Sequence, residues 1–178
     1  MPGMPRPPIR AARPNELEDL RQMEHETGVM FAEVGMGEIA DHDPPPAQEF
    51  VDAIVAVDSH DRPIGYLRTK RVDDCLHIEQ VTVALAHARR GIGAALIDRA
   101  VEIAHADGRP ALTLTTFTEV PWNMPYYERL GFTVIAPLDQ GPELAALVAD
   151  EARQIPGGHP RVAMRRPVRL RPDERQHP

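Results

Sequence analysis

Between residues 76 and 106 the chain reads as a β-strand, a loop with two glycines and the beginning of an amphipathic helix. The run Leu76–Val83 has the composition of a strand, and the apolar spacing from Ile92 to Ala106 is helical. The first turn of a helix carries amide groups without intrahelical partners and a partial positive charge, so it binds anions. Gly91 and Gly93 let the backbone approach a bulky anion closely. This order of elements predicts a pyrophosphate cradle.

The loop itself supplies further donors for phosphate oxygens, because two guanidinium groups precede its glycines. The predicted cradle consists of Arg89, Arg90, Gly91, Ile92, Gly93 and Ala94. An ordinary loop with a solvated arginine pair is the alternative. Two known phosphate-binding loops are excluded. The dinucleotide fingerprint needs a third glycine, and the triphosphate loop needs Lys followed by Ser or Thr where this chain has Ala94 and Ala95.

A second motif, Trp122–Phe132, lies downstream and contains the pattern Tyr-x-x-x-Gly-Phe, which begins at Tyr127 and ends at Phe132. With the strand and the glycine loop before it, this segment resembles the GNAT acetyltransferase superfamily. The cofactor loop of that superfamily is written Gln/Arg-x-x-Gly-x-Gly/Ala. Both glycines match this pattern, and Ala88 stands at the Gln/Arg position. The backbone cradle does not depend on that side chain.

The resemblance implies an α/β fold with a single mixed, mostly antiparallel central sheet, helices on both faces, and splayed fourth and fifth strands. The order of the predicted elements also favours one central sheet, since a hairpin formed by Phe50–Val57 and Ile64–Val72 precedes strand-helix-strand units. We expect a flexible N-terminal segment at 1–8, one N-acetyltransferase domain at 9–167 and a disordered tail rich in Arg and Pro at 168–178.

Two residues are predicted to be catalytic. The resemblance makes Tyr127 the general acid that protonates the departing thiolate; a core tyrosine with a satisfied hydroxyl is the alternative. Glu79 lies on the strand before the loop, and alternation places it on one face with Val81 and Val83. A carboxylate among apolar neighbours would have a raised pKa that suits a general base. Pairing with a basic side chain, or exposure to solvent, is the alternative for Glu79.

The resemblance also implies acetyl-CoA as the co-substrate. The backbone groups of Val81, Thr82 and Val83 would bind the pantetheine amides as an added strand does. Asn123 matches the family asparagine that hydrogen-bonds the pantetheine arm, and a helix-capping role is the alternative. Tyr127 would contact the cofactor as well.

The acceptor is predicted to be a primary amine of a small molecule, attacked directly in a ternary complex. The segment after the first helix usually walls the acceptor side in this superfamily, and here it carries Phe31, Glu33 and Asp41. Apolar and acidic groups together suit a cationic amine, and a solvated acidic loop is the alternative. Two other functions stay open: transfer to a protein or peptide amine, and acyl-CoA sensing without catalysis.

Composition excludes other classes. The net charge of −7 gives no basic surface for nucleic acid. Cys75 is the only cysteine, so no intrachain disulfide is possible. No apolar run reaches the roughly eighteen residues of a membrane span, and the Pro-rich N-terminus lacks the apolar core of a signal peptide, so we expect a cytoplasmic protein. The histidines lack metal-ligand spacing, so no metal is expected. A homodimer is compatible with this interpretation.

Overall fold

A computed structural model of the chain describes residues 6–154 and 158–169. The predictions for residues 1–5 and 170–178 lie outside these ranges. The strands are β1 (Ile9–Ala11), β2 (Ile54–Val57), β3 (Pro63–Val72), β4 (Cys75–Val83), β5 (Ala111–Phe117), β6 (Thr133–Val134) and β7 (Arg161–Pro167). The α-helices are α1 (Leu17–Gly28), α2 (Gly37–Ala40), α3 (Ile92–Ala106), α4 (Met124–Arg129) and α5 (Pro142–Gln154).

The seven strands form one mixed sheet in the order β1-β2-β3-β4-β5-β7-β6. The pair β4–β5 is parallel, whereas the ladders β1–β2, β2–β3, β5–β7 and β6–β7 are antiparallel. The parallel ladder joins Leu76–Ile78 to Leu112–Leu114, although β4 continues to Val83. The mixed sheet confirms the expected fold class, and the short parallel ladder agrees with the expected splay of the fourth and fifth strands.

The chain divides into two compact units. In the first, which comprises the described residues up to Thr69 together with Gln80–Arg99, α1 packs Leu20 and Met23 against a core that includes Phe50, Val55 and Tyr66. Phe50 lies in a 3₁₀ turn, Ala47–Phe50, and β2 begins only at Ile54. The prediction of a strand from Phe50 was therefore wrong at its beginning, because an apolar side chain fills this core equally well from a turn.

In the second unit, which comprises Lys70–Glu79 and the described residues from Ala100 onward, α5 packs against Val72 and Ala163 through Leu144. Asp73 in the β3–β4 turn caps this helix. Its carboxylate oxygens accept hydrogen bonds from the amides of Glu143 at 3.0 Å and of Leu144 at 3.1 Å. A carboxylate at a helix N-terminus pairs with amides that the helix itself leaves unbonded, so this contact fixes the beginning of α5.

The described ends of the chain are held by hydrogen bonds. The carbonyl of Pro8 accepts a bond from the amide of Val57 at 3.0 Å, and the amide of Val168 donates to Pro110 at 2.8 Å. The side chain of Val168 is buried. Val168 directly follows β7, so the chain is still packed against the rest of its unit at this residue. In the described part of the chain, no helix is both long enough and apolar enough to cross a membrane.

His77 is a buried titratable group in the parallel ladder of the second unit. Its Nδ1 lies 2.9 Å from the Thr113 Oγ1, and the residue is 2% exposed. Burial, reinforced by the positive charges of Lys70 and Arg161, lowers the pKa of His77 from 6.5 to about 3. The folded protein therefore holds His77 neutral at pH values where the unfolded chain would protonate it.

Acid is expected to destabilise the protein through His77. The unfolded chain binds this proton below pH 6.5 and the folded chain only near pH 3, so stability is lost as the pH falls from 6.5 towards 3. The slope approaches about 1.4 kcal/mol per pH unit. Urea unfolding at neutral pH and near pH 5 measures the loss, which should be smaller in His77→Gln, a variant that keeps a polar partner for Thr113. An equal loss in both proteins would contradict the assignment.

Candidate active site

The glycine loop forms the N-terminus of α3 in the first unit. Arg89 has a φ of 60° and Gly91 a φ of 76°, so the backbone turns twice through the left-handed region before the helix. The carbonyl of Gly91 accepts the hydrogen bond of the Ala95 amide at 3.0 Å. The amides of residues 92–94 therefore precede the first intrahelical donor and lack intrahelical acceptors, as a helix N-terminus requires.

The surroundings of this helix N-terminus favour an anion. The first turn of α3 contains no acidic residue, and Arg89 and Arg90 are exposed beside it. A Cβ added to Gly91 would meet no heavy atom within 4 Å, so the space in front of this glycine is open. The loop thus combines amides, the helix dipole and two cations around an open space, as the cradle prediction required.

The predicted pantetheine strand lies in the same unit, where β3 runs very close to it. A Cβ at Gly65 would be 3.0 Å from the carbonyl oxygen of Thr82 and 3.2 Å from the Ile92 side chain. Any larger residue at position 65 would push against the end of β4 and the Ile92 side chain, so glycine suits this close approach of β3. Thr82 is buried, and Val81 and Val83 are partly buried.

Glu79 does not lie in the apolar surroundings that alternation suggested. It is exposed, and its Oε1 forms an ion pair with the Lys70 Nζ at 3.0 Å across strands β3 and β4. The prediction of an apolar environment was wrong, because the neighbouring strand places a lysine opposite this carboxylate. The predicted role of Glu79 as the base loses the physical reason that was given for it.

The Tyr-x-x-x-Gly-Phe motif in the second unit folds as the end of α4. Gly131 has a φ of 86°, and its amide donates to Glu128 at 3.0 Å, so the helix ends in the left-handed turn that glycine favours. The amide of Phe132 then donates to the carbonyl of Tyr127 at 3.1 Å, and the two ring centroids are 5.8 Å apart in an edge-to-face contact. Gly131 and the buried Phe132 thereby fix the Tyr127 ring.

The Tyr127 phenol is held in its protonated form. Burial raises its pKa, the neighbouring Tyr126 adds to the rise, and the positive charge of Arg161 opposes it. In the part of the chain that the structure describes, no side chain hydrogen-bonds the Tyr127 hydroxyl. The alternative of a core tyrosine with a satisfied hydroxyl is therefore not what the structure shows.

Arg161, on β7, is itself held tightly. Its guanidinium donates to Glu151 at 3.1 Å and to the Thr115 Oγ1 at 2.8 Å, and it lies 4.4 Å from the centre of the Phe117 ring. No sequence pattern indicates that Arg161 acts on Tyr127, since the two residues come from elements that are far apart in the chain. A fixed cation that acts on this phenol favours the phenolate that proton donation would leave.

Asn123 occupies the N-cap position of α4, where its backbone carbonyl accepts from the amides of Tyr126 and Tyr127 at 3.0 and 3.2 Å. Its side chain makes no capping hydrogen bond. The capping alternative therefore applies to the backbone of Asn123 alone, and its side-chain amide is not used in the cap.

The residues predicted for the acceptor lie in the first unit. Phe31 and Glu33 belong to the 3₁₀ segment Val29–Val34, and Asp41 follows α2. Phe31 is partly buried, whereas Glu33 and Asp41 are exposed.

A further titratable cluster of the first unit was missed. Glu24, partly buried on α1, accepts a hydrogen bond from the hydroxyl of Tyr66, which is wholly buried. Thr82 donates to the Tyr66 hydroxyl at 3.3 Å, and the Gln80 amide donates to Thr82 at 3.0 Å. The sequence signal was available, since Glu24 follows Met23 in the apolar spacing of α1. Its partners, however, come from strands distant in sequence.

In residues 6–154 and 158–169, no group of three or more His, Cys, Asp or Glu side chains is arranged to hold a metal ion.

The chain is similar to known acetyltransferases. The sequence model of the "Acetyltransferase (GNAT) family" matches residues 15–132, which is more than half of the chain. The protein therefore belongs to the GNAT acetyltransferase family, which confirms the resemblance inferred from the two motifs.

Solved structures share the fold at low identity. The ribosomal-protein-S18-alanine N-acetyltransferase of Escherichia coli has a TM-score of 0.64 at 15% identity, over 92% of this chain and 95% of its own. The PaiA N-acetyltransferase of Thermoplasma acidophilum, in complex with coenzyme A, has a TM-score of 0.61 at 16% identity, over 90% of this chain and 98% of its own. N-acetylglutamate synthase of Neisseria gonorrhoeae, in complex with coenzyme A and N-acetyl-glutamate, has a TM-score of 0.67 at 15% identity, over 91% of this chain and 35% of its own. Acetyl-CoA as the co-substrate is thus confirmed at the level of the family.

Proposed function

We propose that this protein transfers the acetyl group of acetyl-CoA to a primary amine of a small molecule, by direct attack in a ternary complex. The observation that carries the proposal is the glycine loop, where three amides, the dipole of α3 and two arginines surround an open space. Such a site suits the pyrophosphate of coenzyme A. Because the protein belongs to an acetyltransferase family, the proposed reaction of the bound acetyl-CoA is transfer of its acetyl group.

Each residue has a separate task in the proposed reaction. Arg89–Ala94 bind the pyrophosphate, and the backbone groups of Val81, Thr82 and Val83 hold the pantetheine arm together with the Asn123 side chain. The amine nitrogen attacks the thioester carbonyl carbon, and the carbon–sulfur bond breaks. Tyr127 donates its proton to the departing sulfur and regains one from the attacking nitrogen. Burial keeps Tyr127 protonated before this step, and the positive charge of Arg161 favours the phenolate that the step leaves.

Glu79 is the proposed proton acceptor for the amine. The proposal keeps Glu79 as the residue that takes the first proton of an ammonium acceptor through a water molecule before the attack, since its ion pair with Lys70 and its exposure fit water-mediated transfer better than direct contact. No metal takes part in this proposal.

The acceptor is proposed to be a small cationic amine, bound by Phe31, Glu33 and Asp41, because exposed carboxylates attract an ammonium group. Transfer to a protein or peptide amine is the second candidate, and it has support of its own: one structural relative is named as a ribosomal-protein-alanine acetyltransferase. Acyl-CoA sensing without catalysis is a third candidate, and the protonated Tyr127 phenol favours catalysis over it. We further propose a cytoplasmic location and leave the oligomeric state, including a homodimer, to measurement.

A panel of amines tests the acceptor class. Thiol release from acetyl-CoA is expected to be fastest with small diamines or other cationic amines, and slower with amino acids and peptides. Charge reversal in Glu33→Lys and Asp41→Lys should raise KM for the cationic amine at least severalfold and leave acetyl-CoA affinity unchanged. Glu18→Lys, which changes an exposed acid on α1 outside this segment, is the control. A peptide or an anionic amine as the best acceptor would overturn this assignment.

A further inference from the structure

The hydrogen bonds around Glu24 all point in one direction. The Gln80 amide donates to Thr82, the Thr82 hydroxyl donates to Tyr66, and the Tyr66 hydroxyl donates to Glu24. Consecutive hydrogen bonds of this kind polarise one another, so the chain of donors strengthens the bond to its last acceptor. That acceptor is the carboxylate of Glu24, which is thereby fixed in one orientation.

The charge of Glu24 is not matched by a direct ion pair within the described residues. Arg68, the cation that acts on it most strongly, is paired instead with Glu49 at 3.4 Å. His42 also acts favourably on Glu24, whereas Glu49 opposes it. Burial is the largest influence and raises the pKa of Glu24 above its ordinary 4.5, although the hydrogen bond from Tyr66 works against the rise. A partly buried carboxylate without a direct cation is a favourable place for one.

This carboxylate is also close, through two hydrogen bonds, to the strand that the proposed function gives to acetyl-CoA. Thr82 belongs to the three residues of β4 proposed to hold the pantetheine arm, and only Tyr66 separates it from Glu24. An amine bound at Glu24 would therefore be near the end of β4, in the same unit.

We infer that Glu24 binds the ammonium group of the acceptor and takes its proton directly. The inference rests on the proposed function and deepens it, since it assigns the amine-binding carboxylate and restricts the acceptor to amines that are cationic at neutral pH. It gives the first ammonium proton to Glu24 in place of Glu79 and leaves the rest of the proposed reaction unchanged. Glu24 is partly buried and forms no direct ion pair within the described residues, as suits a base, whereas Glu79 is exposed and paired with Lys70. Tyr66 is a positioning residue that acts through Glu24.

The proton balance is simple. The ammonium group gives one proton to the Glu24 carboxylate, and the free amine nitrogen attacks the thioester carbon. The carbon–sulfur bond breaks, Tyr127 protonates the sulfur, and the second nitrogen proton returns to Tyr127. Glu24 then releases its proton to solvent, so acetyl-CoA and an ammonium ion give an amide, the free thiol and one proton.

The pH dependence of kcat/KM tests this assignment with the amine that the wild-type protein acetylates fastest. The wild type should show an acidic limb above the ordinary carboxyl pKa. Glu24→Gln should lower kcat/KM about a hundredfold at neutral pH. The kcat/KM of this variant should then increase only as the pH approaches the pKa of the amine itself. Tyr66→Phe keeps the ring, which packs 5.4 Å from that of Phe50, and removes the donor. Its acidic limb should move to higher pH, because the lost bond had lowered the pKa of Glu24.

Glu18→Gln, the same change at an exposed site of α1, should behave as the wild type does. The inference would be overturned if Glu24→Gln kept the acidic limb of the kcat/KM profile unchanged, or if that limb disappeared in Glu79→Gln instead. Either result would leave the proposed function standing.

A second readout does not need turnover. Carbon-13 NMR of glutamate-labelled protein identifies the Glu24 carboxyl as the signal missing in Glu24→Gln. It should titrate above 4.5 and shift when butylammonium chloride is added, but not with tetramethylammonium, which has no N–H donor. A signal that titrates at the ordinary value and ignores butylammonium overturns the inference. If no amine is acetylated while this signal behaves as expected, the proposed function fails and the amine site stands.

Discussion

The Tyr127→Phe variant is expected to lose most of its turnover, with kcat lowered about a hundredfold to ten-thousandfold, the usual contribution of a general acid. The change removes one hydroxyl and keeps the ring, whose contacts with Tyr126 and Phe132 at 5.3 and 5.8 Å hold it in place. Folding and acetyl-CoA affinity should therefore stay close to those of the wild type. Stopped-flow thiol release under single-turnover conditions measures the chemical step directly.

The pH profile separates this role from a structural one. Burial raises the pKa of Tyr127 above its ordinary 10, so the phenol stays protonated and adds no alkaline limb below that pH. Tyr126→Phe, the adjacent tyrosine of α4, is the matched comparison and should keep its kcat. A Tyr127→Phe protein with wild-type single-turnover rate would remove Tyr127 from the mechanism.

The second large effect is expected at Gly91. In Gly91→Val a side chain enters the open space before α3, where the pyrophosphate is proposed to bind. Acetyl-CoA affinity should fall about tenfold or more, which corresponds to at least about 1.4 kcal/mol. Isothermal titration calorimetry with the purified variant measures the change.

A control is needed because Gly91 has a positive φ of 76°, where a valine is strained by about 1–2 kcal/mol or more. Gly108→Val supplies it. Gly108 has a φ of 65°, follows the other end of α3 and likewise has open space around its Cβ. Both variants should lose similar stability in urea unfolding, and only Gly91→Val should lose the cofactor. Wild-type affinity in folded Gly91→Val would contradict the proposed cradle.

Local sequence patterns predicted the parts of the molecule that depend on local physics. The glycine loop before α3 and the end of α4 at Gly131 follow from helix termini and from the backbone freedom of glycine, which neighbours in sequence determine. The β2–β3 hairpin follows from turn residues between apolar runs, and its ladder confirms it.

The rest depends on contacts between distant residues. Alternation along β4 predicts which face Glu79 lies on, but it cannot predict that Lys70 of the neighbouring strand pairs with it. The register between two strands decides which side chains meet. Phe50 was assigned to a strand because an apolar residue carries no information on whether a turn or a strand delivers it to the core. Glu24 and Tyr66 are likewise joined by tertiary packing alone.

The central claim is that this protein transfers an acetyl group directly from acetyl-CoA to an amine. The most direct test mixes purified protein, acetyl-CoA and the best amine of the panel, and measures free thiol and acetylated amine together by mass spectrometry. We predict equal amounts of both products, and neither thiol nor acetylated protein when the amine is omitted. Thiol release without acetylated amine, accumulation of an acetylated protein, or cofactor binding without any turnover would contradict the account.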